Sequence, residues 1–294
     1  MVGSAIQGIY AKDENVEVIA PPRKEVDLLN RENVFSFLND VKPDLVIDAA
    51  ARVGGIIDNK LNPVDFLSFN LQIQTNLMDA AATAGVKSFV FLGSSCIYPK
   101  LAPQPLKESY LMTGPLEETN SAYAVAKIAG LRLIQAYREQ FGFNWISAMP
   151  TNLYGPNDNF DFKSSHVIPG LIAKFHRAKI EITPLVELWG TGKPLREFLH
   201  VDDLASAIKF IAEKYDGYDF INIGSGEEVS IRQLASLVKK VVGYQGEITW
   251  NAGYPDGTPR KLLDSTKILN LGWKPKISLE DGLQSTYEWY LTKI

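Results

Sequence analysis

The chain has 294 residues, 46% hydrophobic and 22% charged, with a formal charge of −4 and a single cysteine. This composition excludes wholesale disorder, and with no run of basic residues there is no electrostatic reason to expect nucleic acid. No apolar stretch reaches the roughly 20 residues that span a bilayer, no secretory pattern opens the chain, and one cysteine closes neither a disulfide nor a zinc cage. The reading is a cytoplasmic protein without a membrane or metal partner.

Met1-Val2-Gly3-Ser4-Ala5-Ile6 reads as the end of a glycine-rich turn running into a helix. Glu17–Ala20 reads as a short strand, followed by Pro21-Pro22-Arg23-Lys24, and residues 31–41 suit a helix carrying Val34, Phe35 and Leu38. Leu45-Val46-Ile47 is a strand entering Asp48-Ala49-Ala50-Ala51, where small residues let a ligand approach the backbone. A helix over 70–84 closes on Gly85, and Ser88–Leu92 is an apolar run of the kind covered on both faces in a parallel sheet. Trp145–Met149 is a further strand, and Thr151–Asn157 reads as a loop. Ser165–Pro169 leads into a helix through Lys174 and Phe175, and Trp189–Pro194 is a glycine turn. Asp202 and Asp203 suit the start of a helix, Phe220–Gly224 suits a returning strand, and a last helix covers 279–290. The alternation predicts an α/β, Rossmann-like, doubly wound parallel sheet with a smaller mixed α/β lobe. Residues 1–155 with about 194–224 form the dinucleotide-binding part, and about 156–193 with 225–294 the substrate part.

The chemistry centres on the end of the Ser88–Leu92 strand. Gly93-Ser94-Ser95-Cys96 places two hydroxyls and the thiol at a strand's carboxyl end, where open α/β sheets bind ligands. Tyr123 and Lys127 stand four apart and share one face of the next helix. A cation near a phenol lowers its pKa, so Lys127 is expected to tune Tyr123 as an acid, with Ser94 clamping a carbonyl oxygen. A Y-x-x-x-K pair alone is more often an aromatic packing inward beside a solvated lysine, and a lone cysteine is more often inert core. Their occurrence together with Gly93-Ser94-Ser95 removes most of the weight from those readings.

With these residues placed, the chain resembles the extended short-chain dehydrogenase/reductase superfamily, and within it the family of GDP-L-fucose synthases. The runs that carry the resemblance are Ala49–Ile56, Gly93–Lys100, Tyr123–Gly130, Pro150–Pro156, Ser165–Pro169, Arg196–Asp203 and Pro255–Asp264. The resemblance implies inversion at C3 and C5 of a GDP-linked 4-keto-6-deoxy sugar, then NADPH-dependent reduction at C4. It gives Cys96 and His166 the roles of base and acid, and Ser94, Tyr123 and Lys127 the reduction. It implies cofactor contacts at Gly3, Arg23, Leu92, Gly93, Ser94, Ser95, Lys127, Pro150, Asn152, Leu153 and His166. Substrate contacts fall to Lys174, Trp189, Arg196, Asp256 and Lys261; His176 and His200 are read as structural. The absence of an acid in Ala20–Lys24 separately favours NADP over NAD. A homodimer is implied through the helix over 70–84 and the Tyr123-bearing helix.

The family pattern places a strand and G-x-x-G-x-x-G ahead of the first helix, and this chain starts just before the third glycine, Gly3. The first strand is therefore expected to be missing, with a gap at the middle of the sheet. Two further readings stay open: another NAD(P)-dependent nucleotide-sugar epimerase or reductase, and a non-enzymatic nucleotide-sugar-binding remnant.

Overall fold

The computed structural model describes residues 1–161, 164–254 and 256–294, with the backbone alone of Ile56. The first half carries α1 (Val2–Tyr10), α2 (Arg31–Val41), β1 (Leu45–Asp48), α3 (Ile56–Leu61), α4 (Asn70–Thr83), β2 (Ser88–Leu92), α5 (Ser121–Phe141) and β3 (Asn144–Pro150). Then come β4 (Asn152–Tyr154), α6 (Val167–Ile180), β5 (Leu185–Trp189), β6 (Leu195–His200), α7 (Val201–Lys214) and β7 (Ile221–Ile223). The chain ends with β8 (Glu228–Ser230), α8 (Ile231–Val242), β9 (Glu247–Asn251), β10 (Arg260–Lys261), α9 (Thr266–Asn270) and α10 (Leu279–Leu291).

The main sheet is parallel, in the order β1-β2-β3-β7. Its helices lie on both faces because the buried strand β2 sends alternate side chains to opposite sides. Phe89 and Phe91 pack with Leu38, Met78, Leu131 and Trp145, on the side of α2, α4 and α5. Val90 and Leu92 pack with Ile6 of α1 and Leu204, Ile208 and Ile211 of α7. The sheet is therefore doubly wound. Gly85 (φ 78°) and Gly142 (φ 68°) take the left-handed conformation just past α4 and α5, and each helix turns directly into the next strand.

A second hydrophobic cluster joins Ile172 and Phe175 of α6, Val186 and Leu188 of β5, Leu234 and Val238 of α8, and Leu283 and Tyr287 of α10. Here β4, β6 and β10 form a small parallel sheet with β8 antiparallel on β6, and β5 pairs with β9.

Three expectations need correction. Glu17–Ala20 is exposed and forms no strand, since among the described residues it has no ladder partner and a lone extended segment is not stable. Among the described residues the sheet has no central gap: it runs unbroken from β1 to β7 and ends at β1, because Glu17–Ala20, which would flank the gap on its other side, forms no strand. Asn152–Tyr154, read as loop, forms β4 because Phe198–His200 of β6 offers it a register.

Gly130 shows how tightly the layers meet. A Cβ there would stand 2.5 Å from the Phe91 ring and 2.8 Å from Gln74 Oε1, both of them buried groups. Gly130→Ala is expected to destabilise the fold by about 1–3 kcal/mol through overpacking, read as a lower midpoint in chemical denaturation; an unchanged midpoint would mean α5 moves freely off the sheet.

Candidate active site

The site forms where strands end. Asp48, Leu92 and Pro150 close β1, β2 and β3 at the same edge of the sheet. Gly93 follows β2 with its N–H donating to Ala148 O at 2.9 Å, and a Cβ there would come within 2.2 Å of the Met149 side chain. The glycine lets the chain leave β2 against β3 without a clash. Ser94 then caps a short 3-10 turn, Ser95–Ile97, its hydroxyl accepting from the Cys96 N–H at 3.2 Å. Hydroxyl and thiol are thereby fixed within one turn.

Tyr123 lies in the first turn of α5, edge-on to Phe66. Burial pushes its phenol up from the ordinary tyrosine range, the charges at Cys96 and Asp48 push the same way, and the Ser94 hydroxyl opposes them. This corrects the expected lowering by Lys127. The Lys127 ammonium is buried, 6.0 Å from the centre of the Tyr123 ring, and donates to Leu92 O at 2.8 Å. Burial lowers Lys127 itself, and Asp48 raises it. A phenol held up this way stays protonated at neutral pH and can donate to a developing alkoxide.

The thiol of Cys96 is half-buried and free. Two donors reach its sulfur: Asn120 Nδ2 at 3.4 Å and Lys261 Nζ at 3.6 Å. Both line a small cleft with Cys96, Lys100, Glu117 and Arg260. Lys261 comes from β10, where it pairs with Arg196 of β6, so two substrate candidates stand on neighbouring strands, Lys261 beside the thiol. Asn120 was not singled out in the sequence; the signal was only its place before α5. Its side chain leaves Oδ1 buried without a partner.

His166 stands exposed at the N-cap of α6. The preceding Ser165 carbonyl lies 3.3 Å from where a Cβ of Gly55 would be, so this cap abuts the glycines that follow β1. Asp158, half-buried, is within electrostatic reach of His166; burial raises its carboxyl and the Asn159 N–H opposes that. Among the remaining candidates, Trp189 stacks on Tyr254 with centroids 4.4 Å apart and planes at 9°. Asp256 accepts from both the N–H and the hydroxyl of Thr191, which lowers its carboxyl. Lys174 donates to Glu187 O, and Arg196 to Leu195 O. Pro255, first residue of the Pro255–Asp264 run, lies outside the described residues.

Of the candidate cofactor contacts, Leu92, Gly93, Ser94, Ser95 and Lys127 surround the end of β2. Asn152 donates to Glu197 O at 2.8 Å, and Leu153 pairs with Leu199. Gly3 lies in the first turn of α1 with nothing within 4 Å of a Cβ position, and Arg23 is exposed on a turn beside Asp27. His200 is buried and caps α7, and His176 bonds the Tyr287 hydroxyl.

A doubly wound α/β sheet with serine, tyrosine and lysine gathered at its strand ends defines a class of dinucleotide-dependent proteins. The model of the NAD dependent epimerase/dehydratase family matches residues 1–224. GDP-L-fucose synthase 1 of Arabidopsis thaliana is 55% identical over 100% of this chain and 91% of that protein. GDP-L-fucose synthase of Escherichia coli K12 is 48% identical over 99% of this chain and 94% of that protein. A solved GDP-mannoheptose C4 reductase from Campylobacter jejuni with NADP bound superposes with a TM-score of 0.90, at 37% identity over 99% of this chain and 95% of the other. The chain belongs to the NAD dependent epimerase/dehydratase family and, within it, to the GDP-L-fucose synthases.

Proposed function

We propose that this protein makes GDP-L-fucose from GDP-4-keto-6-deoxy-D-mannose, by inversion at C3 and C5 followed by NADPH-dependent reduction of the C4 ketone. The observation that carries the reading is the turn after β2, where the Ser94 hydroxyl and Cys96 are locked together beneath Tyr123 while Lys261 and Asn120 reach the sulfur. Hydrogens beside a ketone are acidic, and Cys96 removes one while Ser94 polarises the ketone oxygen. His166 returns a proton from the other side. Tyr123 then gives its phenolic proton to the C4 oxygen.

The residues present fit NADPH. The first turn of α1 is open at Gly3, and Lys127 and Gly93 stand at the strand ends. Arg23 is exposed, paired with the surface carboxylate of Asp27, and can turn to a 2′-phosphate, with no acid in Ala20–Lys24 to repel one. When bound, the nicotinamide supplies hydride to C4. Leu92, Ser95, Pro150, Asn152 and Leu153 complete that side, and Lys174, Trp189, Arg196, Asp256 and Lys261 take the GDP moiety.

Residues 1–155 with about 194–224 serve the cofactor and the rest the sugar nucleotide, although Ile268 and Trp273 pack into the core beneath α7. Val125 on α5 and Val64 ahead of α4 are exposed apolar groups, consistent with a homodimer through α4 and α5. The unpaired cysteine suits the cytoplasm. No helix among the described residues is long and apolar enough to cross a membrane.

The test is incubation of the full chain with NADPH and the 4-keto sugar nucleotide, the product being identified by NMR. GDP-L-fucose is the expected product. A different reduced sugar would favour another reductase, and binding of the sugar nucleotide without NADPH oxidation a non-enzymatic binder.

A further inference from the structure

We infer that Asp48 is a positioning residue for the reductase site: its carboxylate is the counter-charge that keeps Lys127 charged and in place at the ends of β1 and β2. The geometry is specific. Asp48 is 1% exposed and Lys127 3%, so neither charge is stabilised by solvent. Asp48 stands opposite Phe91 in the β1–β2 ladder, and Lys127 Nζ lies 4.7 Å over the same Phe91 ring while donating to Leu92 O next door. Asp48 Oδ1 accepts from the Ala50 N–H at 3.1 Å, but Oδ2 is buried without a partner. An orphaned carboxylate oxygen and a buried ammonium thus converge on one rung of the sheet.

Burial disfavours each charge, and each partner opposes that for the other. The other groups facing them are Tyr123, on the same helix as Lys127, Cys96 in the turn after β2, and the neutral Gln74 of α4, which donates to Ala126 O. Of these, only Asp48 supplies a negative charge that acts on Lys127. Loss of that charge lets Lys127 shed its proton at lower pH, and it lowers the Tyr123 phenol in the same direction.

The inference rests on the reductase reading of Tyr123 and Lys127, but its test uses neither cofactor nor substrate. The full chain is labelled with [ε-13C]lysine and titrated by NMR, the Lys127 signal being the one lost in K127R. In Asp48→Asn the Lys127 midpoint is expected to fall by at least about one pH unit, with D48E restoring it. A purely structural Asp48 would lower the melting temperature of D48N and leave the lysine midpoint where it was, which overturns the inference. A second measurement needs no variant: carboxyl-13C titration of the wild-type chain must show Asp48 ionised where Lys127 is charged, and a neutral Asp48 at neutral pH would overturn it equally. Absent turnover together with the expected fall of the Lys127 midpoint in D48N would count against the reductase reading alone.

Discussion

Tyr123→Phe is expected to slow reduction about 10³-fold while leaving the exchange of C3 and C5 hydrogens with solvent largely intact. On the proposed assignment the two half-reactions draw on different side chains: the exchange uses Cys96 and His166, and only reduction needs a proton delivered to the C4 oxygen. The phenol's burial makes it a donor poised in its protonated form. Reduction should accordingly be flat through neutral pH and fall only on the alkaline side, where the phenol loses its proton. A loss of 10³ corresponds to about 4 kcal/mol of transition-state stabilisation, more than a surface hydroxyl contributes to stability or binding. NADPH oxidation reads reduction, and mass spectrometry in D2O reads exchange. Equal loss of both would mean that Tyr123 orients the sugar and is not the proton donor.

How much of this was legible before the structure depends on what each residue answers to. The unbroken apolar run Ser88–Leu92 and the glycines closing the helices are local signals, and they place β2, α4 and α5 correctly. That Ser94, Tyr123 and Lys127 gather at the end of β2 was legible because helical spacing and a strand end fix their places. Glu17–Ala20 could not be settled, since a strand exists only when another lies beside it. The same holds for β4, three residues long and called into being by β6.

Inside the site, the direction of a side chain was the hidden quantity. Lys127 was expected to act on the phenol and instead turns to Leu92 O. Asp48 was noted only as the end of a strand, because nothing in Val46-Ile47-Asp48 tells that its carboxylate is buried across from a lysine distant in sequence. Lys261 was expected, from the resemblance, only as a substrate contact. Its contact with Cys96 depends on the parallel pairing of β10 with β6, which no local pattern announces.

That contact bears on the second large effect. Cys96→Ser is expected to slow exchange at C3 and C5 at least about 10³-fold, because an alcohol yields far less anion than a thiol and is the poorer base for a carbon acid. Reduction should continue, so the variant accumulates a GDP-6-deoxy sugar not inverted at both carbons, recognisable by NMR. Continued formation of GDP-L-fucose at the normal rate would remove Cys96 from the mechanism. Lys261→Gln then separates two roles for the lysine. If Lys261 serves only to bind GDP, the substitution raises KM for exchange and reduction together. Its donation to the Cys96 sulfur predicts in addition a loss of about tenfold in the maximal exchange rate that reduction does not share, since a charge-assisted hydrogen bond to sulfur stabilises the base and not the C4 oxygen.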